Sequence, residues 1–206
     1  MNNPWHEIRL SDYENHMSLD SVKQLQTMNT MMKKQFETYP VCTAMVLGVA
    51  GGNGLEHICR KKYKAVYGID INAEYLKMVV NRYSSLEGVL QCMQIDLIEE
   101  ADKLPQADMI IANLLIEYIG YEVFQNVVGQ VNPKYVSCGI QLNLDQDNWI
   151  SDSPYLHAFD QLDTLHHQVV DDDLERAMIE VGYRTIFYET YELPNGKCLI
   201  RMDFQK

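Results

Sequence analysis

The stretch from Val46 to Gly54 constrains the fold of this chain more than any other. It reads Val-Leu-Gly-Val-Ala-Gly-Gly-Asn-Gly, so an apolar segment typical of a buried strand runs into a glycine-rich turn. Leu55, Ile58 and Cys59 follow with the spacing of one helical face. A strand that turns into a helix directs backbone N–H groups and a positive helix end at the turn. The pattern therefore predicts a site where a ligand touches the main chain.

A second apolar segment ends on an acid that fits such a site. Residues 67–72 read Tyr-Gly-Ile-Asp-Ile-Asn. Asp70 follows the glycine turn at close to the roughly 20-residue spacing expected of a carboxylate that binds ribose hydroxyls. Sheets with this combination of strand, turn and acid hold nucleotide-like cofactors.

The spacing of the glycines discriminates between cofactor classes. A dinucleotide site requires the pattern G-x-G-x-x-G. Counted from Gly48, the second and third glycines are replaced by Ala50 and Asn53, and counted from Gly52 the third is replaced by His57. An NAD(P)-dependent oxidoreductase is therefore the less favoured alternative.

The glycine block resembles the first motif of class I S-adenosylmethionine-dependent methyltransferases, which is an acid-x-G-x-G-x-G turn after the first strand. Gly48 stands at the acidic position, Ala50 at the first glycine, and Gly52 and Gly54 at the second and third. The resemblance implies S-adenosylmethionine as cofactor and methyl transfer as the activity. The missing acid at Gly48 leaves a second hypothesis open, a non-catalytic regulatory protein that binds S-adenosylmethionine or S-adenosylhomocysteine.

The resemblance also implies the cofactor contacts. Asp70 would accept hydrogen bonds from the ribose hydroxyls, and Ile71, the next residue, is also expected to contact the cofactor. Asp96 would bind the adenine amino group, and Leu97 would offer a backbone N–H. Asn113, at the end of the fourth strand, would contact the methionine portion. The contacts implied for the glycine turn are Gly48, Ala50, Gly51, Gly52, Asn53 and Gly54.

Strand-like and helix-like segments alternate through the middle of the chain, which predicts an α/β fold with a parallel sheet. The predicted strands are Ala44–Val49, Ala65–Asp70, Val89–Asp96, Asp108–Asn113 and Tyr135–Gln141. Asn72 is a predicted N-cap for a helix with Leu76, Val79, Val80 and Tyr83 on its apolar face. The tail, 183–204, predicts a β-hairpin with a two-residue type I′ turn at Asn195-Gly196. This order resembles the Rossmann-like class I methyltransferase fold, which has seven mostly parallel strands and a C-terminal antiparallel hairpin.

The chain divides into a predicted N-terminal helical cap, residues 1–40, and a cofactor-binding domain, residues 41–206. Leu19, Val22, Leu25 and Met28 give the cap its helical spacing. By resemblance such a cap covers the cofactor cleft, so residues 13–17 are expected near the substrate. An irregular insert, residues 143–170, is expected there too.

The composition limits the binding partners and the cellular location that we expect for this protein. The net charge of −12 disfavours a broad nucleic-acid surface. No apolar run approaches the ~20 residues that span a bilayer, and the N-terminus does not read as a secretory signal. The five cysteines stand singly, as in a reduced protein, so a cytoplasmic location is expected. The predicted partner is a small-molecule or protein substrate, with the oligomeric state open.

Methyl transfer requires alignment of donor and acceptor, and a base only where the acceptor loses a proton. The candidate catalytic residues are His16, His166, His167 and Glu117, and the candidate substrate contacts are Tyr13, His16 and Tyr118. After the fourth strand the sequence reads Asn-Leu-Leu-Ile, whereas methyltransferases of nucleobases and glutamine have Asn/Asp-Pro-Pro-aromatic. Those acceptors are disfavoured, and the choice between O- and N-transfer stays open.

A metal site is not expected. The segment 157–167 contains three histidines and two aspartates, but it lacks an H-E-x-x-H pattern.

Overall fold

The computed structural model describes residues 3–143 and 149–206, and its centre is one seven-stranded sheet. The strand order is β3-β2-β1-β4-β5-β7-β6. Strands β1 to β5 are parallel, and β7 is antiparallel to both β5 and β6. The strands are β1 Thr43–Leu47, β2 Ala65–Asp70, β3 Leu90–Gln94, β4 Met109–Asn113, β5 Tyr135–Leu142, β6 Arg184–Glu192 and β7 Cys198–Gln205. The predicted fold class is confirmed.

Helices cover both faces of the sheet, which explains why its strands are almost continuously apolar. The helices are α1 Leu10–Ser18, α2 Gln24–Thr38, α3 Ala73–Arg82, α4 Ile116–Val131 and α5 Asp171–Glu180. One core layer joins α4 and α5 to the sheet, with Phe124 and Met178 among its buried members. The opposite layer contains Phe36 of α2 and Val79 of α3.

The register of the sheet brings the predicted site residues to one edge. Leu47, the last residue of β1, pairs with Ile69 of β2 and with Ala112 of β4. Strand order reverses at β1, because β2 lies on one side of it and β4 on the other. Ligands of open α/β sheets bind at such a reversal, beyond the carboxyl ends of the strands. Asp70 and Asn113 end the two flanking strands there.

The helix predicted after the glycine turn does not form. A single 3-10 turn, Leu55–His57, takes its place. Leu55 and Ile58 are buried as predicted, but Cys59 is exposed. Gly54 has a φ of 90°, and Ile58 is already extended, so the connection to β2 offers no room for an α-helix. A long helix dipole therefore does not contribute to this site.

The predictions for α3 are confirmed at its N-cap and at two of its buried residues, but not at Val80. Asn72 caps α3 by accepting the N–H groups of Glu74 and Tyr75, as predicted, and Leu76 and Val79 are buried. Val80, however, is 55% exposed, because it lies at the edge of the apolar face.

The hairpin between β6 and β7 forms as predicted, but its turn is longer. The Leu193 N–H donates to the Lys197 carbonyl, which leaves residues 194–196 in the loop. Gly196 has a φ of 79°, whereas Asn195 does not have a positive φ, which a type I′ turn requires at both positions. A three-residue loop ending in a left-handed glycine is the result.

The predicted cap consists of a 3-10 turn, Pro4–His6, followed by α1 and α2. Leu19 and Val22 lie between the two helices, so the predicted helical spacing there is wrong for these two residues. The insert predicted as irregular contains a 3-10 helix, Leu156–Thr164, and its residues 144–148 lie outside the described part. Among the described residues, no helix has the length and apolarity to cross a membrane.

Candidate functional site

Two adjoining pockets lie at the carboxyl ends of the parallel strands. We call the first the strand-end pocket. It has a volume of about 730 Å³ with its open mouth included, which is within the range of small-molecule sites. Its lining comes from the ends of β1, β2 and β4, from the loop after β3, and from the cap: Asn3, Trp5, Tyr13, Gly48, Ala50, Ile69, Asp70, Ile71, Tyr75, Ile95, Asp96, Leu97, Ile98, Asn113, Leu114, Leu115, Tyr118 and Ile119.

Asp70 is the buried acid of the strand-end pocket. One carboxylate oxygen accepts the Ala50 N–H at 2.8 Å, and the other accepts the Asn72 N–H at 2.9 Å. Burial raises the pKa of Asp70, and the backbone N–H groups oppose that rise. A carboxylate has about four acceptor positions, so acceptor capacity remains for a ligand hydroxyl beside the backbone N–H groups of Ala50, Ile71 and Asn72.

The glycine turn contributes less of the pocket wall than the sequence predicted. Gly48 and Ala50 line the strand-end pocket, and both have left-handed backbones, with φ of 65° and 45°. Gly51 and Asn53 line a smaller cavity under α2. Gly52 lies on the far side of the turn, where an added Cβ would be 2.7 Å from the Tyr83 ring.

Gly54 and Asn53 are used to hold α2. A Cβ at Gly54 would be 2.7 Å from Met32, and the Asn53 side chain donates to the Leu25 carbonyl at 2.8 Å. A small residue at Gly54 and an amide at Asn53 therefore allow α2 to pack closely against the turn. Glu14 and Arg82 form an ion pair over the turn, and Arg82 also donates to the Gly51 carbonyl at 3.0 Å.

The remaining predicted cofactor residues all line the strand-end pocket. Asp96 is half-buried, and its carboxylate accepts the Ile98 N–H at 2.9 Å. Leu97 is buried beside it. The Asn113 amide is held by reciprocal hydrogen bonds with Gln35 of α2, both of 2.9 Å. Asn113 therefore lines the pocket, and its side-chain amide also holds α2 in place through Gln35.

The second pocket, which we call the cap pocket, lies between α1, the start of α4 and the segment 149–166. It has a volume of about 590 Å³ with its mouth included. It is lined by Trp5, Tyr13, His16, Met17, Gln24, Leu114, Glu117, Tyr118, Gln141, Trp149, Ile150, Ser151, Phe159 and His166. Trp5, Tyr13, Leu114 and Tyr118 line both pockets, so the two cavities share one wall.

Aromatic rings dominate the cap pocket. The Trp5 ring stands edge-on to the Tyr118 ring, with centroids 4.9 Å apart. Tyr118 stands edge-on to Trp149 at 6.2 Å. His166 stacks on Trp149, with centroids 4.0 Å apart and planes 15° apart. The arrangement offers both ring faces and ring edges to a ligand.

Glu117 is the one acid among the described residues that line the cap pocket, and it is 4% exposed. One carboxylate oxygen accepts the Gln141 N–H at 3.0 Å. The other oxygen, Oε2, is buried without a hydrogen-bond partner among the described residues. Burial raises the pKa of Glu117 to about 7, against the opposing effect of its backbone hydrogen bonds. A carboxyl group with that pKa changes its protonation state near neutral pH.

The structure separates the predicted histidines. His16 lines the cap pocket, and its Nδ1 is 2.7 Å from the Ser153 hydroxyl. Burial lowers the pKa of His16 and lowers that of His166 to about 4, so both are neutral at pH 7. His167 is exposed, and it lines neither pocket. The predicted substrate contacts Tyr13, His16 and Tyr118 all line the cap pocket.

Several lining residues were not predicted from the sequence. Trp5 comes from the 3-10 turn before α1, and Tyr75 donates its hydroxyl to the Ile8 carbonyl at 2.7 Å. Trp149 and Phe159 come from the predicted insert. Their aromatic identity was the available signal, but aromatic residues outside a sheet more often form core. Within residues 3–143 and 149–206, no group of three or more histidines, cysteines and acids could hold a metal ion.

Comparison with known proteins identifies the fold. No protein-family model matches the sequence, and no curated protein does. Solved structures do. The chain is similar to the N-methyltransferase NodS from Bradyrhizobium japonicum WM9 in complex with S-adenosylhomocysteine. The TM-score is 0.69 at 12% identity, over 100% of this chain and 99% of that one.

Two further structures define how far this similarity reaches. A SAM-dependent methyltransferase from Leishmania major has a TM-score of 0.68 at 13% identity, over 98% of this chain and 80% of that one. The [4+2]-cyclase SpnF has a TM-score of 0.67 at 8% identity, over 90% and 82%. Strand order, hairpin and these matches together show that the chain has the fold of the class I S-adenosylmethionine-dependent methyltransferases.

Proposed function

We propose that this protein is an S-adenosylmethionine-dependent methyltransferase. The main supporting observation is that the strand-end pocket and the cap pocket share a wall formed by Trp5, Tyr13, Leu114 and Tyr118. A cofactor in the first pocket would lie next to an acceptor in the second. Holding two reactants side by side supplies much of the rate of a displacement reaction.

The residues of the strand-end pocket fit this cofactor. The remaining acceptor capacity of Asp70 suits the ribose hydroxyls, and Asp96 and Leu97, which line the same pocket, would bind the adenine end. Gly48 and Ala50 leave room for the methionine end, because small residues expose the backbone. The bound cofactor would supply an electrophilic methyl group. The chain would supply orientation, and the aromatic walls would exclude water.

Two solved structures with a similar fold support the choice of this cofactor. NodS and the magnesium protoporphyrin IX methyltransferase from Synechocystis PCC 6803 were solved with S-adenosylhomocysteine or S-adenosylmethionine bound.

SpnF has the same fold and is a cyclase, so fold alone does not specify methyl transfer. Gly48, at the position of the usual acid, favours the second candidate, a regulatory protein that binds the cofactor without turnover. The free, scattered cysteines support a cytoplasmic location.

Calorimetric titration with S-adenosylhomocysteine tests the cofactor site. We expect micromolar binding, weakened roughly 10- to 100-fold in Asp70→Ala, because hydrogen bonds to a charged group are lost. Asp102→Ala removes an exposed acid of the same type outside both pockets and is the matched control.

Preferential binding of NAD or NADP would contradict the proposal, as would equal affinity of the two variants for S-adenosylhomocysteine. Turnover then separates an enzyme from a binding protein. Binding without methyl transfer to any acceptor in a substrate screen would favour the regulatory alternative.

A further inference from the structure

The cap pocket contains a buried carboxylate that has no ion-pair partner within residues 3–143 and 149–206. Glu117 is almost fully buried, and its Oε2 atom has no partner among the described residues. None of the described residues that line this pocket is a lysine or an arginine. The nearby Lys197 ammonium donates to the Trp149 carbonyl and contributes to the lowered pKa values of His16 and His166, but it forms no ion pair with Glu117. A buried polar oxygen without a partner destabilises the folded protein, so such an atom calls for an explanation, and a ligand that binds to it supplies one.

The rest of the lining suits a positively charged ligand with an apolar body. Trp5, Tyr118 and Trp149 offer aromatic faces, to which cations are attracted. His16 and His166 are neutral at pH 7, because burial lowers the pKa of each, so they do not repel a cation. The net charge of −12 attracts cations over longer distances.

We propose that the cap pocket binds a small amine and that Oε2 of Glu117 receives a proton from its nitrogen. This inference rests on the proposed methyltransferase function. It narrows the acceptor from a small molecule or protein side chain to an alkylamine with an apolar or aromatic body, and it selects N-transfer over O-transfer.

The reaction balances with the groups present. The substrate ammonium gives one proton to the Glu117 carboxylate, which frees the nitrogen lone pair. The nitrogen attacks the methyl carbon in line, the new C–N bond forms, and the C–S bond breaks with its electron pair left on sulfur. The products are an N-methylammonium ion and S-adenosylhomocysteine. The Glu117 carboxyl group then loses its proton to solvent.

The intrinsic fluorescence of the protein provides a direct binding assay. The chain has two tryptophans, Trp5 and Trp149, and both line the cap pocket. The probes are ethylamine, hexylamine and phenethylamine, each compared with the alcohol of the same carbon skeleton. They are titrated at pH 8 with and without S-adenosylhomocysteine. We expect an amine to bind at least tenfold more tightly than its alcohol.

Glu117→Gln is the decisive variant, since it keeps the shape of the side chain and removes the charge. We expect it to lose amine binding roughly 10- to 100-fold and to keep the alcohol affinity. Glu117→Asp retains the charge on a shorter side chain and should recover part of the affinity. Glu122→Gln makes the same change at an exposed position of α4 and should bind like the wild type.

Mass spectrometry after incubation with S-adenosylmethionine should detect the N-methylated probe, and its yield should fall in Glu117→Gln. Equal binding of amines and alcohols would overturn the inference, as would amine binding unchanged in Glu117→Gln, or no amine binding at all. If amines bind through Glu117 but S-adenosylhomocysteine does not bind, the proposed function fails while the amine site stands. If S-adenosylhomocysteine binds and amines do not, only the amine inference fails.

Discussion

Two buried acids in this molecule have opposite surroundings. Asp203, in β7, is completely buried and accepts hydrogen bonds at both oxygens. Its donors are Arg201 Nε at 2.9 Å, Arg201 Nη2 at 2.5 Å, the Tyr39 hydroxyl at 2.6 Å and the Ser137 hydroxyl at 2.5 Å. Glu117, in the cap pocket, accepts one such bond from the part of the chain that the structure describes, and its Oε2 atom has no partner there. We infer from this difference that Asp203 stabilises the fold, whereas Glu117 is available to bind a ligand.

The Asp203 cluster links three parts of the structure. Ser137 stands opposite Asp203 in the β5–β7 register, and Tyr39 follows α2. Gln35 of α2 donates to the Ser137 hydroxyl at 2.8 Å and to Asn113 at 2.9 Å. The cluster therefore fixes the cap helix α2 to the sheet beneath both pockets.

The largest effect that we expect comes from removing the cation of this cluster. Arg201→Met leaves Asp203 charged, buried and without its ion-pair partner, which typically costs about 3–5 kcal/mol. Urea unfolding at pH 7 measures the loss. Adding Asp203→Leu to the same chain should recover much of it, because a well-packed apolar pair replaces the ion pair. A single variant with wild-type stability would show that the cluster is not structural.

A smaller and pH-dependent effect is expected at Glu117. Its pKa is raised from 4.5 to about 7 in the folded protein. Between these values the folded state binds more protons than the unfolded state, so stability falls as pH rises through this window. The fall attributable to Glu117 is about 3 kcal/mol, and it is complete above pH 7. Glu117→Gln should lack it.

The comparison is made on the difference between Glu117→Gln and the wild type, measured by urea unfolding from pH 4.5 to pH 8. His16 and His166 titrate in both proteins and therefore cancel. Tyr13, Tyr118, Tyr121 and Cys138 are the described groups whose pKa values Glu117 raises, and all four titrate above the window. A difference that stays constant with pH would mean that the carboxylate is not buried in this way.

The strand-end pocket could be predicted from the sequence because it is built from local patterns. β2 has the predicted bounds, and Asp70 ends it. Apolar strands and their terminal residues are contiguous in sequence, and the parallel order of the sheet brings their ends together. The same patterns failed for the helix expected after Gly54, because the backbone is already extended at Ile58 on its way to β2.

The cap pocket could be predicted only in part. Tyr13, His16, Glu117 and Tyr118 were among the candidates, since α1 and the start of α4 follow recognisable helical signals. Its aromatic wall could not be predicted, because Trp5 and Trp149 are far apart in sequence and both contact Tyr118 in the folded chain. The Asp203 cluster is similarly non-local. Alternation along a strand places Arg201 and Asp203 on one face, but it does not show that the face is buried under α2.

The most direct test makes the same change, acid to amide, at both carboxylates and measures unfolding at pH 8. We predict that Asp203→Asn loses about 3 kcal/mol, because the amide disrupts a saturated set of donors. We predict that Glu117→Gln is at least as stable as the wild type, because no buried charge remains to be desolvated. Similar losses in both variants would contradict the account, since Glu117 would then be a structural carboxylate like Asp203.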